Sequence, residues 1–247
     1  MTGTQQRTRR PYAGGVIIGL DGDDTLWHSE REFAETQAQY RALLSHWADE
    51  HTIERKLIDT ERRNLQIFGY GVKGFTLSMV ETAIELSNGD IPAKELHRIV
   101  ELGKALLGHP VELIDGVRET VETLAKEHRL VLITKGDLLH QETKLAASGL
   151  GELFWRIEIV SEKDIPTYDR ILRRNEIALD DFVMVGNSVR SDVLPVVEMG
   201  GRAVHVPYEI TWELEQVAVD DTELFPTVPT LRDVPPLVAE WDRARGG

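Results

Sequence analysis

Cysteine is absent from this sequence, which excludes disulfides, thiolate chemistry and cysteine zinc sites. Long hydrophobic runs are absent too, since none approaches the roughly 18 apolar residues of a membrane-spanning helix. Positive charge is scarce: 28 Lys and Arg stand against 42 Asp and Glu, for a formal net charge of −14. Nucleic-acid binding needs clustered Lys and Arg, so a nucleic acid is not an expected partner. A membrane is not expected either, because no apolar run is long enough to span one.

The first 13 residues are polar and basic, and they lack the apolar segment of a secretory signal. We interpret residues 1–13 as a flexible tail and expect a cytoplasmic location. The 247 residues are 41% hydrophobic, which is enough for a sizeable core in one large domain or two small ones. The sequence predicts nothing about the oligomeric state.

Short apolar runs alternate with helical patterns over most of the chain. The runs occupy residues 16–20, 130–133, 154–160, 182–185 and 203–206. Most are rich in Val and Ile, as the buried strands of a parallel sheet are. Helical spacing of apolar residues marks the segments 117–128, 138–147 and 168–177. This alternation predicts an α/β fold, a doubly wound and mostly parallel sheet of the Rossmann-like kind.

Residues 30–107 break the alternation, because they contain no convincing strand. Four helices are predicted there: one through Phe33 and Trp47, one over 53–65, one over 76–86 with Thr76 as N-cap, and one beginning at Pro92. The glycine-rich stretch 69–75 is predicted to be a loop. We therefore predict a helical domain, residues 30–107, inserted into a core made of residues 14–29 and 108–247. The proline-containing C-terminal part is expected to add an edge strand and a last helix.

The stretch GLDGDDTLW, residues 19–27, places Asp21, Asp23 and Asp24 directly after an apolar run. A turn or a helix cap explains one or two of these carboxylates, but not three beside a core strand. A calcium loop is a further interpretation, because Asp21, Asp23, Thr25 and Glu32 match ligand positions of that pattern. Leu26 stands where the pattern needs glycine, and the preceding segment is a strand and not a helix.

A catalytic interpretation accounts for the aspartates better. Ligands of open α/β sheets bind beyond the carboxyl ends of the strands. Because side chains alternate along a strand, Asp21 and Asp23 can face one site while Asp24 points away. Two close carboxylates repel unless a cation or a proton lies between them. One of them can then be a nucleophile and the other an acid and base.

Later strand ends supply groups that complement these carboxylates. Thr134 ends the second predicted strand, Lys163 follows the third, and the fourth is followed by GNSVRSD with Asn187, Ser188 and Asp192. Each alone has an ordinary explanation, such as a strand-end residue, a surface lysine or a helix-start acid. Together, hydroxyl, ammonium and carboxylate groups suit a phosphate and a divalent cation.

With these residues the sequence resembles the haloacid dehalogenase superfamily over nearly its whole length. The four motifs are D21-G-D23-D-T25, Thr134 in LITKGD, Lys163 in SEKDIP, and GNSVRSD. The helical block between the first two motifs resembles the type 1 cap of that family. The resemblance implies a phosphatase-type hydrolase with a Rossmann-like core under a helical cap domain.

The resemblance also implies a role for each motif residue. Asp21 would attack phosphorus and become an aspartyl phosphate, and Asp23 would serve first as acid and then as base. Thr134 and Lys163 would hold the phosphoryl oxygens, with the backbone of Lys135 beside them.

The implied cofactor is Mg²⁺, bound by Asp21, the backbone carbonyl of Asp23, and Asp192. The family pattern has an aspartate where this chain has Asn187. An amide oxygen can still bind Mg²⁺, but it adds no charge, so weaker binding is expected. Lys73, in the glycine-rich stretch, is a candidate contact for the substrate.

The leading hypothesis is a Mg²⁺-dependent phosphatase that acts on a small phosphorylated metabolite. A dehalogenase on the same fold is an alternative, although Asp23 argues against it because that reaction needs no leaving-group acid. A phosphoacceptor signalling domain fits the motif order poorly, and the non-enzymatic calcium-binding protein described above is the last alternative.

Overall fold

A five-stranded parallel sheet lies at the centre of the protein. The structure is a computed structural model, and it describes residues 15–217 and 224–245. Within those ranges the strands are β1 Ile17–Leu20, β2 Arg129–Lys135, β3 Phe154–Val160, β4 Phe182–Gly186 and β5 Arg202–His205. They run in the spatial order β3-β2-β1-β4-β5, and all neighbours are parallel. The predicted flexible tail, residues 1–13, and residue 14 lie outside the described residues.

Nine α-helices accompany the strands in the described ranges. They are α1 Glu30–Leu44, α2 Glu50–Phe68, α3 Val72–Leu86, α4 Ala93–Leu107, α5 Val117–Glu127, α6 Leu138–Ser148, α7 Ile165–Arg174, the short α8 Leu194–Glu198, and α9 Val234–Arg245. None of them combines the length and the apolar character needed to cross a membrane.

Side chains alternate along each strand, so apolar residues of the sheet lie on both of its faces. Helices cover both faces. Ile18 and Leu20 of β1 share a buried cluster with residues of α5 and α9. Ile17 faces the other way, into a second cluster with residues of α7 and α8. The sheet is therefore doubly wound, and the predicted fold class is confirmed.

Helices α1 to α4 fill the segment between β1 and α5 and have a hydrophobic core of their own. That core contains Tyr40, Leu44, Ile53, Met79 and Ile99. The segment coincides in sequence with the predicted cap domain, residues 30–107.

One helix of this block begins earlier than the sequence suggests. Helix α3 starts at Val72, so Thr76 lies inside it, and its hydroxyl donates to the Val72 carbonyl at 2.7 Å. The predicted loop over 69–75 is therefore right only for residues 69–71, and the predicted N-cap at Thr76 is wrong. Gly69 and Gly71 have φ values of 71° and 112°, so two glycines make the turn and the helix starts at once.

The predicted C-terminal edge strand is also wrong for the described residues. One isolated bridge joins His205 and Thr227, and the chain then enters α9. Pro226 and Pro229 flank the bridge, and a proline cannot donate to a strand ladder.

Candidate active site

Asp21 lies at the carboxyl end of β1, in the middle of the sheet, and lines a cavity of about 160 Å³. Its N–H donates to the Val185 carbonyl of β4 at 3.0 Å, which fixes the backbone. Its carboxylate is buried and accepts from the Thr25 hydroxyl at 3.2 Å. Asp21, predicted from the sequence to be the nucleophile, is therefore held by a backbone hydrogen bond and lines a cavity.

Lys163 holds Asp21 and Asp192 together. Its ammonium contacts Asp21 Oδ1 and lies 2.6 Å from Asp192 Oδ1, and all three residues are buried. Burial lowers the pKa of Lys163, but the two carboxylates outweigh it and raise that pKa above its ordinary value. One ammonium cannot balance two buried acids, so burial and the charge of Asp192 raise the pKa of Asp21 to about 7.

The carboxylate of Asp23 is held by three donors. Trp27 Nε1 and Lys144 Nζ lie 2.6 and 2.7 Å from Oδ1, and Gln141 Nε2 lies 2.8 Å from Oδ2. Burial raises the pKa of Asp23, but the charge of Lys144 and the three hydrogen bonds outweigh it and lower that pKa. Asp23 is therefore an ionised carboxylate in this state.

Asp24 has a structural role at the start of α1, although it also belongs to the cavity lining. Its backbone is left-handed, with φ 62°, and its side chain accepts from the N–H groups of Ser29 and Glu30 at 2.9 and 3.1 Å. These are the first donors of α1, so Asp24 satisfies the helix N-terminus. Burial, with the charge of Asp23, raises the pKa of Asp24 to about 8.

The end of β2 contributes a buried hydroxyl to the cavity. Thr134 is 1% exposed, and among the described residues its hydroxyl has no hydrogen-bond partner. A Cβ at Gly22 would lie 3.1 Å from that hydroxyl and 2.8 Å from the ring of Trp27, so a glycine keeps this space open. A buried donor without a partner is costly unless a ligand satisfies it.

The side chain of Lys135 enters a second buried network. Its ammonium lies 2.6 Å from Glu215 and 2.8 Å from the Ser191 hydroxyl. The other oxygen of Glu215 accepts from Ser188 and Ser191, both at 2.6 Å. Lys135 thus lines the cavity, while its charge is balanced by a carboxylate from the segment after β5.

Asn187 and Asp192 follow β4, and Thr25 links this strand end to β1. The Asn187 N–H donates to the Thr25 hydroxyl at 3.0 Å, and that hydroxyl lies 3.4 Å from Asn187 Oδ1. Asp192 Oδ2 accepts from the Ser188 N–H at 3.0 Å. A Cβ at Gly186 would collide with the Asp192 carboxylate, so glycine is required there.

Helices α1 to α3, the turn between α2 and α3 and the segment after β5 form another part of the cavity lining. Beside small and apolar side chains such as Ser78, Leu65 and Ile210, this part contributes aromatic, amide and acidic ones: Glu30, Phe33, Gln37, Glu61, Asn64, Tyr70, Phe75 and Trp212. The cavity is therefore shared between the helical block and the sheet.

A comparison with known families decides what kind of protein this is. The family model of haloacid dehalogenase-like hydrolases matches residues 17–200, more than half of the chain. The chain belongs to this family. The resemblance predicted from the four motifs is thus confirmed, and the protein is a haloacid dehalogenase-like hydrolase.

Solved structures agree with this assignment. A haloacid dehalogenase-like family hydrolase from Xanthomonas campestris is 46% identical, covers 97% of both chains and has a TM-score of 0.85. A 2-haloacid dehalogenase from Pseudomonas syringae is 20% identical, covering 92% of this chain and 99% of its own, with a TM-score of 0.61. A predicted phosphoglycolate phosphatase from Haemophilus somnus is 17% identical, covering 90% and 97%, with a TM-score of 0.60. The last two show a shared fold alone. A comparison with curated proteins gives no match.

Seven of the eight residues predicted for the site of this hydrolase line one cavity: Asp21, Asp23, Thr134, Lys135, Lys163, Asn187 and Asp192. The eighth, Lys73, is not part of the lining. Its side chain is 58% exposed and pairs with Asp137 at 2.8 Å. This ion pair links α3 to the start of α6, so Lys73 joins the helical block to the core.

The donors near Asp21 fit the kind of metal predicted from the sequence. Asp21, Asp192, the amide of Asn187 and the carbonyl of Asp23 offer only oxygen, which suits Mg²⁺. Within the described residues no group of three or more His, Cys, Asp or Glu is placed to hold a metal. A metal would therefore have two carboxylates, with neutral oxygens completing its ligands.

The calcium-loop alternative finds no support in the geometry. Glu32, its last ligand, does not line the cavity that contains Asp21 and Asp23. It lines a separate small cavity and lies 3.8 Å from His109.

Sequence patterns did not identify several polar residues of this hydrolase's cavity, among them three that bind Asp23 or Lys135. Gln141 and Lys144 lie on one face of α6, three positions apart, and look like ordinary polar positions of an amphipathic helix. Glu215 lies in a short turn after β5 that contains no motif. Only the packing of α6 and of this turn against the strand ends reveals their role.

Proposed function

We propose that this protein is a Mg²⁺-dependent phosphatase that hydrolyses a small phosphorylated metabolite through an aspartyl phosphate on Asp21. One observation carries the proposal: a second carboxylate, Asp23, is held by three donors in the cavity that contains Asp21. Expulsion of an alkoxide from phosphorus needs a proton donor, whereas halide release from carbon does not. Asp23 therefore supports phosphoryl transfer over dehalogenation.

The proposed reaction has two steps. An Asp21 oxygen bonds to phosphorus while the bond to the leaving oxygen breaks, and Asp23 gives that oxygen a proton. Water then attacks phosphorus and gives a proton to Asp23, and the bond between Asp21 and phosphorus breaks to release phosphate. The unpartnered Thr134 hydroxyl and the Lys163 ammonium would bind the phosphoryl oxygens.

Asp23 is ready for the second step as it stands, because it is ionised. For the first step it must take up a proton. An incoming phosphate dianion favours this, since a nearby like charge raises the pKa of a carboxyl group. Lys144 and Gln141 meanwhile keep the carboxyl oriented toward the cavity.

Mg²⁺ would supply positive charge against the phosphoryl oxygens. Asp21, Asp192, Asn187 and the Asp23 carbonyl would hold it. We further propose that residues 30–107 are a cap domain, because their helices form part of the cavity lining and have a separate core.

The test is a panel of phosphate esters with Mg²⁺ or with chelator, and chloride release from 2-chloro acids measured in parallel. Asp21→Asn should lower phosphatase kcat by at least ~10³, since an amide cannot form the acyl phosphate. Asp90→Asn, at an exposed position, is the matched control. Chloride release without hydrolysis of any ester would establish the dehalogenase alternative instead.

A further inference from the structure

Two carboxyl groups of the helical block line the cavity without a cation of their own block beside them. Glu30 lies on α1 and Glu61 on α2. Glu61 is 9% exposed and is hydrogen-bonded to the side chain of Trp212. Within the described part of α1 to α4, no Lys or Arg belongs to the cavity lining.

The described part of the lining contains three lysines, and each is already paired with a carboxylate. Lys163 binds Asp21 and Asp192. Lys135 is paired with Glu215 at 2.6 Å and Lys144 with Asp23 at 2.7 Å. Lys144 is the cation that acts on Glu30, yet it does not compensate the carboxyl groups of the helical block.

The pKa values of Glu30 and Glu61 are raised, as expected where no cation balances a buried carboxylate. Burial and the charge of Glu30 raise the pKa of Glu61 to about 8. Burial and the charge of Asp23 raise the pKa of Glu30 to about 7, although Lys144 opposes this. A cation bound between the helical block and the sheet would stabilise both as carboxylates.

A separate observation points to a ligand that donates hydrogen bonds. The amide nitrogen of Gln141 donates to Asp23 and to the Lys135 carbonyl, at 2.8 and 2.9 Å, so its oxygen is left as an acceptor. Gln141 is 3% exposed and lines the cavity, and this oxygen has no partner among the described residues. A buried acceptor of this kind is satisfied by an N–H or O–H of a ligand.

Aromatic rings in the same lining also suit a cation. Phe33 and Phe75 line the cavity with their ring centroids 5.2 Å apart. The face of an aromatic ring attracts ammonium groups and repels carboxylates.

We propose that the leaving group of the substrate carries an ammonium group bound by Glu30 and Glu61, and that a leaving group carrying a carboxylate is disfavoured. This inference rests on the proposed phosphatase activity. The phosphate end binds at the sheet, where Thr134 and Lys163 lie, and the amine end reaches the acidic part of the lining. Phosphoglycolate, whose leaving group carries a carboxylate, would meet these two acids there and no Lys or Arg of the described helices α1 to α4.

Three two-carbon esters test this inference, because they differ in one terminal group: O-phosphoethanolamine, 2-hydroxyethyl phosphate and phosphoglycolate. Their kcat/KM values are measured, together with their inhibition constants against hydrolysis of p-nitrophenyl phosphate. We expect the ammonium ester to exceed the hydroxyl ester by roughly tenfold, and the carboxylate ester to fall below both. Equal values, or a preference for phosphoglycolate, would overturn the inference.

Variants identify the residues responsible. Glu30→Gln and Glu61→Gln should each lower the ratio between the ammonium and the hydroxyl ester by several-fold, while Glu35→Gln, exposed on α1, should leave it unchanged. An unchanged ratio in both cavity variants would remove Glu30 and Glu61 from recognition. Absence of p-nitrophenyl phosphate hydrolysis by the wild type would instead contradict the proposed function itself, so the two failures are distinguishable.

Discussion

The buried ion pair between Lys135 and Glu215 allows a prediction that does not depend on the proposed reaction. The pair joins the end of β2 to the segment after β5, at 2.6 Å, and the two side chains are only 12% and 13% exposed. Lys135→Met and Glu215→Gln each remove one charge, and the double variant removes both. The four proteins form a double-mutant cycle.

The magnitude follows from the distance and the burial. At an effective dielectric constant of about 20, two charges this close attract by about 6 kcal/mol, and most of this is offset by their desolvation. Removal of one partner of a buried pair costs about 3–5 kcal/mol. Each remaining group keeps partners here: Lys135 lies 3.4 Å from Glu162, and Glu215 accepts from Ser188 and Ser191. We therefore expect a loss of about 3 kcal/mol for each single variant and a coupling energy of about 2 kcal/mol.

Urea denaturation followed by circular dichroism measures these free energies of unfolding. Burial raises the pKa of Glu215, but Lys135 and the two serine hydroxyls outweigh it, so the pKa lies below its ordinary value of 4.5. A depressed pKa contributes stability above the unfolded-state pKa and loses it as the pH falls through the folded-state pKa. The difference between wild type and Glu215→Gln should therefore shrink between about pH 6 and about pH 3. A coupling energy below ~0.5 kcal/mol, or a difference independent of pH, would refute this reasoning.

Two further predictions concern the proposed chemistry. Asp23→Asn should reduce turnover of alkyl phosphates by roughly 10²–10⁴. Turnover of p-nitrophenyl phosphate should fall much less, because an aryl oxide leaves without a proton. Equal losses on both esters in steady-state kinetics would give Asp23 another role. Asn187→Asp should lower the Mg²⁺ concentration for half-maximal activity and tighten Mg²⁺ binding in calorimetry. The reason is that it adds a charged oxygen beside Asp21 and Asp192. Unchanged or weaker Mg²⁺ binding would place residue 187 away from the metal.

Much of the sheet could be predicted from the sequence, because buried parallel strands are continuous apolar runs. The third run, residues 154–160, coincides with β3, and the others differ from their strands by a few residues at most. Helix boundaries were less predictable. Thr76 looked like an N-cap, but Gly71 already turned the chain and α3 began at Val72, four residues earlier.

Only some of the site residues could be predicted from the sequence. Asp21 and Thr134 were predictable because they directly follow or end strands whose common edge is fixed by the topology. Lys144, Gln141 and Glu215 were not, because their role depends on how a helix and a turn pack, and no local pattern records that. Lys73 shows the converse: a lysine in a glycine-rich stretch suggested an anion contact, but α3 directs it to Asp137.

The charge of the cavity connects the two proposals. Among the residues that the structure describes, its lining contains three lysines but seven carboxyl groups: Asp21, Asp23, Asp24, Glu30, Glu61, Asp192 and Glu215. The lysines lie beside Asp21, Asp23, Asp192 and Glu215. The pKa values of Asp21, Asp24, Glu30 and Glu61 are raised, so too little positive charge lies near these four groups to stabilise their ionised forms. Positive charge that enters together with a phosphate dianion would offset this excess of acids. Near Asp21 a divalent cation would supply that charge, and near Glu30 and Glu61 the substrate would have to bring its own.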